Sequence, residues 1–323
     1  MKKSVYIWAD ADSTIGYGHF VRSLALTDMI KEHFDCTFFT QTPTEYQKRE
    51  VLKICKLIEL PSEDKKFEMF FQHLTGDEIV VLDNYFFISE YQKEIKQIGC
   101  KLICIGTNDK HYYADVVINY VLNESDFSAE SYTKFCLGLD WLLVRKPFLN
   151  ATKRKTDILS IKNVVICFGG TDQFELTEKA ISALNDLSDI FDIHVISTDI
   201  IGDLRINNML RQNIKMHINA SAEEIAVIFS QCDIAILSAS SVAQEALACN
   251  IPVIAGYYIN NQKNFYNYLF ENNYILGVGN MMNEDFPATL LSTIDYLISN
   301  GFDTKRIDIK GTKNNYIRLL SAL

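Results

Sequence analysis

The chain has no uninterrupted apolar run of roughly 18 residues, the length a helix needs to cross a bilayer, so no membrane-spanning segment is expected. It also has no surplus of positive charge. Against 31 Lys and Arg stand 41 Asp and Glu, and the net charge of −10 argues against a general nucleic-acid or acidic-membrane surface. A local basic pocket for a diphosphate is compatible with that balance, because global charge does not decide one site. Met1-Lys2-Lys3-Ser4 leads directly into a strand-like segment without a signal-peptide cleavage pattern, so a cytoplasmic location is expected. The cysteines (36, 55, 100, 104, 136, 167, 232 and 249) lack metal-ligand spacing. Cys100 and Cys104 form the one close pair, and no second Cys/His pair completes a site. They are expected to be reduced and packed as small apolar residues, with no metal and no cofactor. Internal repeats and low-complexity segments are absent as well.

What is present is an alternation of strand and helix signals, the pattern of a parallel α/β sheet. With 323 residues, 48% of them hydrophobic, the chain favours two domains that each bury a core. Strands are expected at 4–9, 36–41, 78–83, 101–105 and 115–119, with helices at 19–34, 44–56, 63–74 and 87–98. Phe20, Val21, Leu24, Ala25, Leu26, Met29 and Ile30 make the first helix amphipathic. The polar, basic stretch 149–162 follows Pro147 and reads as an interdomain linker. Beyond it, strands are expected at 164–168, 192–197, 214–218, 233–237 and 251–255. Helices are expected at 175–187, 221–230, 240–249, 262–272, 286–299 and 311–322. The division is therefore 1–150 and 151–323, with the last helix able to pack back on the first domain. Two doubly wound parallel-sheet domains facing a cleft would place ligands at the carboxyl ends of the strands.

The residues with chemistry lie at such ends. Asp10 and Gly16-Tyr17-Gly18-His19 join the first strand to the first helix, where backbone N–H groups attract an anion. A histidine at a helix N-terminus feels the positive end of the dipole, which disfavours imidazolium and suits a general base; capping the helix is the plainer alternative. Asp83-Asn84-Tyr85 ends another strand. Asp83 there orients His19, binds a sugar hydroxyl or caps a helix, and Tyr85 supplies a proton or a hydrogen bond. Gly169-Gly170-Thr171-Asp172 permits close approach to a diphosphate or forms a tight turn with an Asp cap. Ser240 and Ser241 open a helix in a manner suited to phosphate oxygens, and Glu245 lies one turn further, positioned for a ribose or for the helix dipole. Asn261 and Gln262 add amide groups after the strand at 251–255.

Taken in order, Ile15-Gly16-Tyr17-Gly18-His19, Asp83-x-Tyr85, Gly169-Gly170-Thr171-Asp172, Ser238-Ala239-Ser240-Ser241…Glu245 and Asn261-Gln262 resemble a known family. It is that of the UDP-2,4-diacetamido-2,4,6-trideoxy-β-L-altropyranose hydrolases of pseudaminic acid biosynthesis, relatives of spore-coat polysaccharide proteins and MurG-type glycosyltransferases. The resemblance extends to Gly138…Arg145 and Asp308-x-x-Gly311. It implies an α/β, GT-B-like fold and a metal-independent hydrolysis that releases UDP and a free sugar with inversion. By resemblance His19 activates water, Tyr85 and Asn261 line the reaction centre, and Ser240, Ser241 and Glu245 hold diphosphate and ribose with Gln262 nearby. The implied partners are a UDP-sugar and UDP; no nucleic acid and no stable membrane insertion are expected, and the oligomeric state is open. Glycosyl transfer on the same fold and binding of a nucleotide sugar without turnover are the rival readings. Two positions depart from the family: Trp8 stands where an Arg is usual, and Ile105-Gly106-Thr107-Asn108-Asp109 stands where an Asp-Asp pair is usual. Both departures are read as loss of charge from the sugar-facing half.

Overall fold

The structure is a computed structural model, and it describes residues 2–11, 16–62, 65–84, 86–106, 111–121, 126–151, 161–169, 172, 174–184, 191–197 and 213–323. The chain divides into two compact units, Met1–Lys146 with Ile309–Leu323, and Pro147–Asp308.

The first unit runs β1 (Ser4–Trp8), α1 (Gly18–Ile30), β2 (Asp35–Gln41), α2 (Glu45–Leu52), β3 (Lys56–Leu60), α3 (Lys65–Phe71), β4 (Ile79–Leu82), α4 (Ser89–Ile98), β5 (Lys101–Ile105), β6 (Val116–Asn119) and β7 (Lys134–Leu137). A single turn, α5 (Lys146–Leu149), follows. The sheet order is β3-β2-β1-β4-β5-β6-β7, and every described pairing is parallel. Parallel strands are covered on both faces and therefore read as continuous apolar runs. β4 follows that rule, with all four residues buried. On one face α1 packs Phe20 against Phe38 of β2 at 5.6 Å between ring centroids. On the other, Trp8, Phe39, Phe67, Phe70 and Phe87 form an aromatic core.

The second unit contains β8 (Asn163–Cys167), α6 (Leu176–Leu184), β9 (Asp192–Ser197), β10 (Ile214–Ile218), α7 (Ala222–Gln231), β11 (Ile234–Ser238), α8 (Ser241–Ala248), β12 (Val253–Tyr257), α9 (Asn260–Glu271), β13 (Leu276–Asn280) and α10 (Phe286–Asn300). Its order, β10-β9-β8-β11-β12-β13, repeats the winding of the first sheet. The final helix, α11 (Thr312–Ala322), belongs to the first unit, where Tyr316 donates to the Trp141 carbonyl at 2.6 Å.

Ten expected strands are present, three with the expected bounds and seven shifted by a residue or two. Three more, β3, β7 and β13, were not expected, and all three are sheet edges. An edge strand is covered on fewer sides, so its apolar pattern is diluted. β3 reads Lys-Leu-Ile-Glu-Leu with one fully buried residue, and β13 has two glycines in five positions. The linker expected at 149–162 falls mainly outside the described residues. All eight cysteines are reduced; seven are buried, and burial pushes the Cys36 and Cys249 thiols up to about 12.

Candidate active site

In a doubly wound sheet the chain leaves the middle in opposite directions, and the gap between the two strands that start those directions is where ligands bind. In the first unit that gap lies between β1 and β4. The segment after β1 carries His19, and the residue after β4 is Asp83, whose backbone N–H bonds the Trp8 carbonyl at 3.1 Å. His19, Arg22 and Ser23 share one face of α1, since side chains three and four positions apart are neighbours on a helix. All three converge on Asp83. The contacts are His19 Nδ1 to Oδ1 at 2.7 Å, Arg22 Nε to Oδ2 at 2.6 Å and Ser23 Oγ to Oδ2 at 2.9 Å, with Arg22 Nη2 also on Oδ1.

Asp83 is fully buried, which by itself would raise its carboxyl pKa. The Arg22 guanidinium and the His19 ring outweigh that penalty and bring it down to about 2. An ionised carboxylate can only accept hydrogen bonds. The 2.7 Å contact therefore requires a proton on Nδ1 of His19, and in the neutral ring the lone pair resides on Nε2. The 3.1 Å approach of Arg22 Nη2 to the same Nδ1 is then a contact between two donors that share one acceptor. A carboxylate-oriented imidazole of this tautomer has the geometry that general-base chemistry requires. The influence expected from the helix N-terminus is thus joined by a carboxylate and a guanidinium in direct contact with the ring.

Asp10 lies on the β2 side of the same edge. Its Oδ1 accepts from the Trp8 indole N–H at 3.1 Å and from the Gln41 backbone N–H at 2.8 Å, while Oδ2 lies 3.9 Å from Lys66 Nζ. Burial pushes the Asp10 carboxyl up, and the Gln41 N–H and Lys66 offset this only in part. Lys66 also donates to Gln41 Oε1 at 2.7 Å and sits 3.7 Å above the Phe86 ring. Gly16 turns the chain at φ +79°, and Gly18 is the first residue of α1.

Trp8 and Gly106, the two departures from the family pattern, both have packing roles here. Trp8 fills the aromatic core against Phe67, Phe70 and Phe87 while its N–H serves Asp10. Gly106 has φ +64°, and a Cβ there would meet Arg22 Nη2 at 2.8 Å. Lys66 and Arg22 bring positive charge to this edge from two helices that the strand-end motifs did not include.

In the second unit the corresponding gap lies between β8 and β11. Gly169 follows β8 with φ +107°, and the Tyr258 hydroxyl bonds the Phe168 carbonyl beside it at 3.0 Å. Asp172 accepts the backbone N–H groups of Leu176 and Thr177 at 2.9 and 2.7 Å, so its two oxygens cap α6. Ser240 is the N-cap residue of α8, but its hydroxyl makes no capping bond and pairs with Ser238 Oγ at 3.0 Å. Ser241 opens α8, and Glu245 is buried one turn further in. After β12, Asn261 is exposed in the first turn of α9, whereas Gln262 is buried and accepts the Tyr258 N–H at 3.1 Å.

Tyr85, Gly170, Thr171 and the segment Thr107-Asn108-Asp109 lie outside the described residues. Among the described residues, no three His, Cys, Asp or Glu side chains are grouped as metal ligands, and no helix is long and apolar enough to cross a membrane. Arg22, Ser23, Lys66 and Tyr258 join the candidate site without having been expected from the sequence. For Arg22 and Ser23 a signal existed: two polar residues interrupt the apolar stripe at helical spacing from His19.

Two parallel-sheet domains wound in this way define the class: the fold is GT-B-like. Solved structures agree over the full length. MurG of Acinetobacter baumannii superposes with a TM-score of 0.65 at 11% identity, covering 99% of this chain and all of that one. HepE of Anabaena in complex with UDP-glucose gives 0.61 at 14% identity, with 99% and 100% covered. No family model matches the chain. Among curated relatives, the UDP-2,4-diacetamido-2,4,6-trideoxy-beta-L-altropyranose hydrolase of Campylobacter jejuni is 25% identical over 280 residues, which is 82% of this chain and 96% of that protein. The spore coat polysaccharide biosynthesis protein SpsG of Bacillus subtilis is 23% identical over 261 residues, 77% of this chain and 76% of its own length. The uncharacterized protein MJ1062 of Methanocaldococcus jannaschii is 25% identical over 278 residues; these are 81% of this chain and 57% of that protein, so the match spans little more than half of its length.

Proposed function

We propose that the protein hydrolyses a UDP-linked sugar, releasing UDP and the free sugar, and that the sugar belongs to the 2,4-diacetamido-trideoxy class. The observation that carries the reading is the His19–Asp83 pair at the topological switch point of the first sheet. The name of the Campylobacter relative, which aligns along nearly its whole length, supports the substrate class.

In this reaction Nε2 of His19 takes a proton from water as the water oxygen bonds to the anomeric carbon. The bond from that carbon to the phosphate oxygen breaks, and its electron pair leaves with UDP. Attack opposite the leaving group inverts the anomeric centre and needs no covalent intermediate. Asp83 holds the ring in the required tautomer and balances the imidazolium that forms. Tyr85 and Asn261 would line the reaction centre. Gly169, Gly170, Thr171, Ser240, Ser241, Glu245 and Gln262 would hold the UDP moiety, with the N–H groups opening α8 directed at phosphate oxygens. Asp10, Gly16 and Gly18 would shape the sugar side.

A ³¹P NMR screen of UDP-sugars in H₂¹⁸O tests the proposal. The expected result is unlabelled UDP, ¹⁸O on the anomeric hydroxyl, and loss of turnover in His19→Ala. Failure of the whole panel to release UDP overturns the reading. Release that depends on an added sugar or lipid hydroxyl would replace hydrolysis by transfer.

A further inference from the structure

We infer that Arg22 and Gly106 form a positioning device that sets the pH at which His19 can act as a base. This rests on the hydrolase reading for its activity assay but not for its geometry. Arg22 grips both oxygens of Asp83 and holds its Nη2 3.1 Å from the ring nitrogen that Asp83 also contacts. A carboxylate alone beside an imidazole would hold a proton on the ring and leave the base occupied at neutral pH. A guanidinium fixed against both groups opposes that pull, because it is paired with the carboxylate and repels imidazolium. Asp83 then keeps its orienting contact with the ring while its charge is shared with the guanidinium.

Gly106 makes the arrangement sterically possible. It directly follows β5, where its N–H bonds the Ile118 carbonyl at 2.8 Å, and its missing side chain is the space the guanidinium occupies. A Cβ would stand 2.8 Å from Nη2, 3.2 Å from Nη1 and 3.3 Å from Cζ. The far end of an arginine can usually move aside, but this one is fastened to Asp83. The left-handed φ of +64° adds a second reason for glycine.

Among the described residues, Tyr120, which follows β6, and Tyr316 of α11 are titratable groups that also face this cluster. Burial raises both hydroxyls well above the ordinary tyrosine value, so they stay neutral through the working range. Arg22 is therefore the group whose charge opposes Asp83 at the ring.

The test compares Arg22→Gln, Arg22→Lys and Gly106→Ala with the unsubstituted protein. It reads the acid limb of kcat/KM for UDP release and, separately, the titration midpoint of the His19 ring by NMR. In Arg22→Gln both should move to higher pH by about one to two units, with the change falling on the pH profile more than on KM, because Arg22 is bonded to Asp83 and lies against the His19 ring. Arg22→Lys should restore part of the shift, since it returns the charge without the two-pronged grip. Gly106→Ala should move both readouts the same way by a smaller amount, and it serves as the test if Arg22→Gln does not fold. An unmoved limb together with an unmoved ring midpoint in folded protein makes the array purely structural and overturns the inference. If no UDP-sugar is turned over, the ring midpoint alone decides, so failure of the hydrolase reading stays distinguishable from failure of this one.

Discussion

Sixty-four positions apart in the chain, His19 and Asp83 meet at 2.7 Å. The meeting is made by the fold: β1 and β4 are sheet neighbours, Asp83 directly follows β4, and the connection after β1 leads to His19 in the first turn of α1. Two substitutions follow from it. His19→Ala should reduce UDP release by about 10²–10⁴-fold, the usual range for loss of a general base. Asp83→Asn should reduce it by at least about 10²-fold through the wrong tautomer. Steady-state UDP release at neutral pH, with circular dichroism to verify folding, measures both.

Asp83 also couples stability to acid. Its carboxyl is brought from 3.8 down to about 2 in the folded chain, so the folded state favours the ionised form. The stabilisation is fully present above about pH 5 and is lost as pH falls through the folded value. A shift of that size corresponds to roughly 2–3 kcal/mol. Urea unfolding at pH 5, 3 and 2 should show the decline, and Asp83→Asn should flatten it. At neutral pH the same variant should be less stable by about 3–5 kcal/mol, because it breaks the ion pair with Arg22.

A second pH effect belongs to the other unit. His194 of β9 and His217 of β10 touch at 2.9 Å between Nδ1 and Nε2. Burial lowers both pKa values; His217 and Lys215 add to the effect at His194, and Lys215 adds to it at His217. A histidine whose folded value is depressed contributes stability above its ordinary value of 6.5, and that contribution fades as pH falls below it. Hydrogen exchange of the β9 and β10 amides should therefore speed up between neutral pH and about pH 5 beyond the intrinsic change. His217→Gln should remove most of that dependence; equal acceleration in the variant would rule the pair out as its source.

Trp8 is a matter of packing. Its ring meets Phe67, Phe70 and Phe87 at centroid distances of 5.3, 4.7 and 4.9 Å. Trp8→Ala should cost about 3–5 kcal/mol. Trp8→Phe should lose less, mainly the indole N–H bond to Asp10. Thermal melts of the two variants give the comparison, and a larger loss in Trp8→Phe would contradict it.

What the sequence disclosed depended on how each residue is surrounded. β4 and β8 were visible because a strand covered on both faces must be apolar along its length. β3, β7 and β13 were not, because an edge position lets Lys56, Glu59, Lys134 and two glycines into a strand. His19 was marked by its glycine turn, and Asp83 was read with three possible tasks, among which only a three-dimensional neighbour could choose. Arg22 is hard to single out in the sequence because it sits inside the apolar stripe of α1. Asp172 looked like a ligand group by its company of glycines, whereas both of its oxygens are bonded to the first turn of α6.

The chain passes into the second unit after Lys146 and returns to the first at Ile309. The unit with His19 is therefore interrupted by the other one, and its last piece, α11, seats Tyr316 only after residues 147–308 have been made. During synthesis the half that holds the base is the first to begin and the last to close, while the inserted half can complete its core earlier. A premature stop near residue 309 would accordingly spare the domain next to the break and damage the distant one, in which the chain begins.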